Sequence, residues 1–252
     1  MHNFFKSLLD LIHVPRCGGC RIRLNSSSNG MCEKCRRLFL DEKDEFCDFC
    51  GMSVSICTCI PFNMMVNGCI DYRKLIFYRK NEGTAAIRNM MYRIKRSNDV
   101  PLMDFFAKEL CNIDNFPPSD DLVVTYAPRT KKAVRKYGYD HGKILAEKYA
   151  KLGGYHFDKI LVRKNGGKQR QQKLLNFKQR AANIKGAFLV RNKEKVNGKT
   201  VVIIDDVVTS GATLGECVSL LFEAGAKSVI CRSIAYTYRE NKQKKIDFED
   251  ML

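Results

Sequence analysis

The sequence predicts an α/β protein, a parallel sheet flanked by helices, with an N-terminal cysteine-rich module held together by metal. Three observations predict it. Apolar runs alternate with helical repeats through the second half of the chain, the pattern of successive βαβ units. One run, Val201-Val202-Ile203-Ile204, shows no polar alternation, as expected of a strand buried on both faces. Eight of the twelve cysteines fall as pairs between residues 17 and 59.

The Val201 strand organises the chain. Asp205 and Asp206 end it, Thr209-Ser210-Gly211-Ala212-Thr213 forms a small hydroxyl-rich turn, and Leu214, Cys217, Val218, Leu221 and Phe222 follow at helical spacing. A strand, a tight turn and a helix start make an anion site, because first-turn N–H groups and the helix dipole both favour a phosphate. Thr209, Ser210 and Thr213 can add hydroxyl donors, and Gly211 lets backbone come close to a ligand. No Gly-Lys-Ser/Thr ending and no GxGxxG is present, which disfavours nucleoside triphosphate and dinucleotide sites. An ordinary capped helix would leave two successive carboxylates at a buried strand end without a partner or a cation. Four apolar residues, Asp-Asp, two variable residues and Thr-Ser-Gly-x-Thr resemble the PRPP signature of type I phosphoribosyltransferases. That resemblance implies that residues 209–213, Ala212 among them, hold the 5′-phosphate. It also implies that Asp205 and Asp206 meet the ribose hydroxyls, directly or through Mg²⁺.

The cysteine pairs are Cys17/Cys20, Cys32/Cys35, Cys47/Cys50 and Cys57/Cys59. Two such pairs complete a tetrahedral thiolate site for zinc. A disulfide framework belongs to exported chains, and the N-terminus lacks the unbroken apolar centre of a signal peptide. Sequential pairing predicts two zinc ribbons in tandem, Cys17, Cys20, Cys32 and Cys35 in one and Cys47, Cys50, Cys57 and Cys59 in the other. With every position cysteine, no site is left open for catalysis by the metal. Cys69, Cys111, Cys217 and Cys231 stand alone among apolar neighbours and read as buried thiols.

The remaining elements follow in order. Residues 1–16 suggest an amphipathic helix docked on the protein itself, and residues 66–79 a strand pair. Ala86, Ile87, Met90, Met91 and Ile94 fall on one helical face, and a second helix follows Pro101. Residues 121–126 read as a strand stopped by Pro128, followed by the cation run Arg129, Lys131, Lys132, Arg135 and Lys136 at a strand end, where open α/β sheets bind ligands. A helix passes through Ile144, Leu145, Tyr149 and Leu152. Short strands are expected at 159–162 and 187–190, on either side of a basic, glutamine-rich segment (163–186) that reads as a lid. A last strand covers 228–235. The expected domains are an N-terminal helix and double zinc ribbon (1–62), an α/β domain (63–240) and a charged tail (241–252).

The net charge of +17 favours phosphate-rich partners. No run approaches the length of a membrane span, and the protein is expected in the cytoplasm. Cysteine knuckles joined to a phosphoribosyltransferase-like domain resemble the ComF family, whose members serve in DNA uptake by competent bacteria. The run Gln172-x-x-Leu175-x(4)-Arg180-x-x-Asn183-x-x-Gly186-Ala187-Phe188 and the segment Tyr137-Gly138-Tyr139-Asp140-His141 carry the resemblance further. Where the family has Arg-Gly-Phe-Asn-Gln, Tyr137 replaces the arginine and His141 the glutamine, with Arg135 and Lys136 near enough to substitute. The resemblance implies PRPP and Mg²⁺ binding, single-stranded DNA as a partner, and contact with DNA-uptake proteins. The competing reading is a phosphoribosyltransferase enzyme, with Arg129, Lys131 and Lys132 facing the pyrophosphate and Arg180 in the lid. No acceptor pocket or general base is recognisable, although His141 and His156 are candidates by type.

Overall fold

Strand β6 (Thr200–Val208) lies at the middle of a five-stranded sheet, and residues Val201 to Ile204 are wholly buried there. The sheet order is β1 (Asp71–Phe77), β7 (Ser228–Tyr236), β6, β2 (Leu122–Tyr126), β3 (His156–Phe157), with every pairing parallel. The computed structural model describes residues 15–25, 30–78, 85–97, 99–114, 116–164 and 184–237. The expected N-terminal helix lies almost entirely outside them, as do most of the lid segment, with Arg180, and the charged tail.

Side chains alternate faces along a strand, and this divides the core in two. Val202 and Ile204 pack with α3 (Ala85–Arg96), α4 (Val100–Asn112) and α6 (His141–Gly153). Val201 and Ile203 pack with α7 (Ala212–Glu223) and a separate antiparallel ribbon of β4 (Leu161–Arg163) and β5 (Phe188–Val190). All five residues of the apolar face expected on α3 are buried. Asp99 caps α4 by accepting from the Leu102 N–H at 3.2 Å, so the helix begins one residue before Pro101.

Several elements differ from expectation. Residues 66–79 hold one strand, β1, because its partner is β7 from the far end of the chain. The short strands at 161–163 and 188–190 bond to each other and not to the main sheet. The cation run forms α5 (Lys131–Tyr137), started by Thr130 Oγ1 accepting from the Ala133 N–H and ended by Gly138. Strand β6 continues past both aspartates to Val208.

The cysteine segments are built into the same core. Cys17, Cys35 and Phe39 of α1 (Glu33–Asp44) share one apolar cluster with Met90, Leu102, Phe105 and Phe106. Cys47 and Cys57 pack with Phe77 and Tyr236 at the edge of the sheet. The boundary expected at residue 62 falls inside the short helix α2 (Phe62–Met65), whose Met64 is buried against α7. Among the described residues no helix is long and apolar enough to cross a membrane.

A buried ion network ties these layers. Arg232 of β7 is fully buried, and its Nε donates to Asp114 Oδ1 and Oδ2 at 2.7 and 3.0 Å. Its Nη2 donates to Asp71 at 2.6 Å, and Tyr149 donates to Asp114 Oδ2 at 2.6 Å. Removing one partner strands a buried charge. Asp114→Ala is therefore expected to lower stability by about 3–5 kcal/mol, read as a fall in the urea midpoint with unchanged slope.

Candidate functional site

In the sheet, β2 leads outward to β3 while β6 leads outward to β7 on the other side. The order therefore reverses between β2 and β6. Ligands of open α/β sheets bind beyond the carboxyl ends of the strands at such a reversal. A cavity of about 400 Å³ lies there. It is lined by Ala127 to Arg129 after β2, residues 205–214 of β6 and α7, Lys95 of α3, His141 of α6, and Arg163 and Ile184 from the ribbon side.

The two aspartates face different environments. Asp206 has the parity of Val202 and Ile204 and meets α3 and α6, whereas Asp205 has the parity of Val201 and Ile203. His141 Nε2 lies 2.8 Å and Lys95 Nζ 3.4 Å from Asp206 Oδ2. Both are ion-pair distances, and the His141 contact is short enough for a charge-assisted hydrogen bond. Burial raises the Asp206 carboxyl, but His141 and Lys95 outweigh it and hold the group well below the usual carboxylate range. Burial and the charge of Asp206 push Asp205 well above that range. A buried, ionised carboxylate at a cavity wall suits a hydroxyl donor or a cation.

Lys95 is delivered by a tethered helix end. Tyr139 donates to the Ile94 carbonyl at 3.1 Å and Arg129 Nη1 to the Lys95 carbonyl at 3.5 Å, satisfying carbonyls that α3 leaves open. Asp140 in turn accepts the Arg129 N–H at 3.1 Å. Opposite them, the turn enters α7 with Gly211 at φ +72°, a left-handed conformation that favours glycine. Ala212, Thr213 and Leu214 of the first turn of α7 line the cavity, with the Ala212 N–H donating to Ser210 Oγ at 3.4 Å.

Asp205, Asp206, Thr209, Ser210, Gly211, Ala212, Thr213 and Arg129 all line this cavity. Lys131 and Lys132 do not; they are exposed on α5. His156 lies on the edge strand β3, away from the cavity lining. Lys95 and Arg163 join the site although no motif marks them, and so does His141, named in the sequence only as a candidate by type. In the sequence Lys95 is only a cation at a helix end and Arg163 a cation beside a short strand.

The eight paired cysteines form two groups, Cys17, Cys20, Cys32, Cys35 and Cys47, Cys50, Cys57, Cys59, with all sulfurs of a group within 4.8 Å. Sulfur–sulfur separations are 3.7 Å for Cys17–Cys32, 3.6 Å for Cys20–Cys32 and 3.5 Å for Cys50–Cys57. Four thiolates at ~2.3 Å from one zinc ion would stand ~3.8 Å apart in a tetrahedron. The donor sets fit zinc, and the one-residue spacing of Cys57 and Cys59 does not prevent the second group from closing. Although burial opposes ionisation, Lys74 Nζ at 2.9 Å and the Cys59 backbone N–H bring the Cys57 thiol down to about 7.

Residues 140–251 match the phosphoribosyl transferase domain family. The chain carries a phosphoribosyl transferase domain. Strands β6 and β7 and the turn between them fall inside the match, while the cysteine groups, β1 and β2 precede it. Over most of its length the chain is homologous to curated relatives called DNA utilization protein YhgH. The Salmonella typhi protein is 26% identical over 89% of this chain and 100% of its own length. The Escherichia coli K12 protein is 24% identical with the same coverage. Both bear out the ComF-type resemblance. Among solved structures, the glutamine PRPP amidotransferase of B. subtilis overlaps 62% of this chain and 29% of its own at 20% identity and a TM-score of 0.34.

Filling both cysteine groups gives two zinc ions per chain, measured by elemental analysis of the purified protein. Thiol modification is expected to release both together with solubility. One ion, with Cys57 and Cys59 open to labelling, would limit metal to the first group.

Proposed function

We propose that this protein binds PRPP with Mg²⁺ at the carboxyl end of β6 and handles single-stranded DNA in DNA uptake. The observation that carries the ligand is the buried, ionised Asp206 carboxylate on the same cavity as the start of α7. Amides and hydroxyls of Thr209 to Thr213 receive the 5′-phosphate at the helix start. Asp205 and Asp206 take the ribose hydroxyls or the metal, which when bound neutralises pyrophosphate charge. Arg129, with Lys95 beside it, is placed for the pyrophosphate. Arg180, outside the described residues, retains its proposed place in the lid.

The DNA side rests on the net charge of +17 and on relatives named for DNA utilization. Phosphate neutralisation dominates single-strand affinity, and α5 presents Lys131, Lys132, Arg135 and Lys136 on a seven-residue helix beside the cavity. In this reading Lys131 and Lys132 contact nucleic acid and leave the pyrophosphate to Arg129. The protein works in the cytoplasm with DNA-uptake partners. Transfer of the phosphoribosyl group to a base is the second reading, favoured by the transferase domain match. Pyrophosphate release over a panel of bases separates it from binding alone.

Two measurements test the proposal. In calorimetric titration the wild type is expected to bind PRPP, and Asp205→Asn with Asp206→Asn to weaken binding more with Mg²⁺ than without it. Wild-type protein with no affinity for PRPP sinks the ligand reading. In the second, single-stranded DNA affinity is followed against salt. Replacing Lys131, Lys132 and Lys136 by alanine is expected to flatten the slope of log K on log salt by about 2; an unchanged slope removes α5 from the DNA surface.

A further inference from the structure

The second cysteine group and the turn at 209–213 are joined by a short piece of chain. Only Ile60 separates Cys59 from Pro61, which opens the four-residue helix α2. That helix lies directly on the turn. Asn63 Nδ2 donates to the Ser210 carbonyl at 2.7 Å. A Cβ on Gly211 would stand 3.0 Å from both Pro61 Cβ and Met64 Cγ, and one on Gly215 would stand 2.2 Å from the Asn63 carbonyl oxygen. The glycines therefore admit α2 to the start of α7, and Gly211 is needed for this packing as well as for its left-handed φ.

A helix of one turn does not hold its own shape in water. This one is held at both ends. Downstream, Asn67 Nδ2 donates to the Asn63 carbonyl at 2.6 Å, and the chain enters β1. Upstream it depends on the cysteines. Cys57 is fastened to the sheet by Lys74 of β1, whose Nζ lies 2.9 Å from Sγ and 3.4 Å from the carbonyl. Lys74 is almost wholly buried, and its remaining surroundings are the rings of Tyr72 and Phe77. Ser233 pairs with Lys74 on one side and with Asp205 on the other. The cysteine group thus reaches the ligand site by two routes, one through α2 and one across a row of the sheet.

We infer that the second cysteine group clamps the phosphate turn. Asn63 is a positioning residue that acts through the Ser210 carbonyl, and metal held by Cys47, Cys50, Cys57 and Cys59 sets the affinity of the turn for a phosphate ester. The inference rests on the phosphate reading of the turn and adds a coupling to it. Without metal the four cysteines have no common anchor. Their release frees Cys59, Pro61 and with them α2, so the Ser210 carbonyl loses its donor and the first-turn amides lose their fixed direction.

The test uses the full, zinc-loaded chain, with PRPP plus Mg²⁺ and, separately, inorganic phosphate as probes in calorimetric titration. Asn63→Leu keeps side-chain size and removes the donor. It is expected to weaken both probes about tenfold at unchanged zinc content. Lys74→Met removes the cation that touches Cys57 and leaves α2 and the turn unchanged in sequence; it is expected to weaken zinc at the second group and PRPP with it. Chelator competition, with Cys57 and Cys59 labelling mapped by mass spectrometry, reads the coupling from the other side. Saturating PRPP is expected to raise zinc affinity there by the factor that zinc raises PRPP affinity, since coupling is reciprocal. Asn63→Leu is expected to shrink that factor; a merely structural role would lower the melting temperature and leave it intact. Variants that bind both probes like wild type, with zinc affinity indifferent to PRPP, overturn the coupling and leave the ligand site standing. Wild-type protein that binds neither probe overturns the ligand site, and the coupling with it.

Discussion

A negative charge buried at the carboxyl end of the central strand constrains most of what surrounds it. Asp206 is almost wholly out of water, and an isolated carboxylate in such a place would take up a proton. It stays ionised because His141 and Lys95 face it from two different helices. Those helices must then be held: Tyr139 and Arg129 secure the end of α3, and Asp140 secures the loop that carries Arg129. Oδ2 carries both ion pairs, and Oδ1 accepts the Val207 N–H at 2.7 Å. The fold keeps one ionised carboxylate at the wall of a cavity whose other side is a helix start. That is a poor arrangement for stability and a good one for holding a polyol phosphate.

The cysteine groups serve the same site from two directions. The first is packed into the core with α3 and α4, the helices on the Asp206 side of the sheet. The second sits at the β1 edge and continues into α2, on the Gly211 side. A segment of this length cannot bury enough surface to fold unaided. Here it shares the core of the α/β domain, and metal would supply local stiffness as well as folding energy. Charge is divided as well. The cavity takes Arg129, Lys95 and Arg163, while the cations of α5 remain on the exterior.

What was legible in the sequence was whatever repeats or stays local. Val201 to Thr213 carries strand, carboxylates and turn in consecutive residues, and the five apolar positions of α3 recur at helical spacing. Four CxC or CxxC pairs state their own grouping, and sequential pairing is the one found. The misses have a common cause in long-range contact. Lys95 acquires meaning only beside Asp206, more than a hundred residues further along the chain, and His141, a candidate by type, finds its partner there. β1 looked like half of a hairpin because its partner β7 is remote in sequence. β4 and β5, three residues each, bear no mark of whether they join the main sheet. Gly211 read as room for a phosphate; its φ and the contact with Pro61 and Met64 supply a second reason that no local pattern contains. Lys131 and Lys132 were grouped with Arg129 by adjacency, but the helix begins between them and the cavity.

The central claim is that one ligand site joins the end of β6, the turn into α7 and the α2 segment. Hydrogen exchange read by mass spectrometry, with and without PRPP and Mg²⁺, tests it most directly. The account predicts slowed exchange in residues 205–215 and, in the same experiment, in residues 57–65, with β3 and the exposed face of α5 unchanged. Ligand-dependent protection that avoids residues 205–215, or none at saturating PRPP, would contradict it.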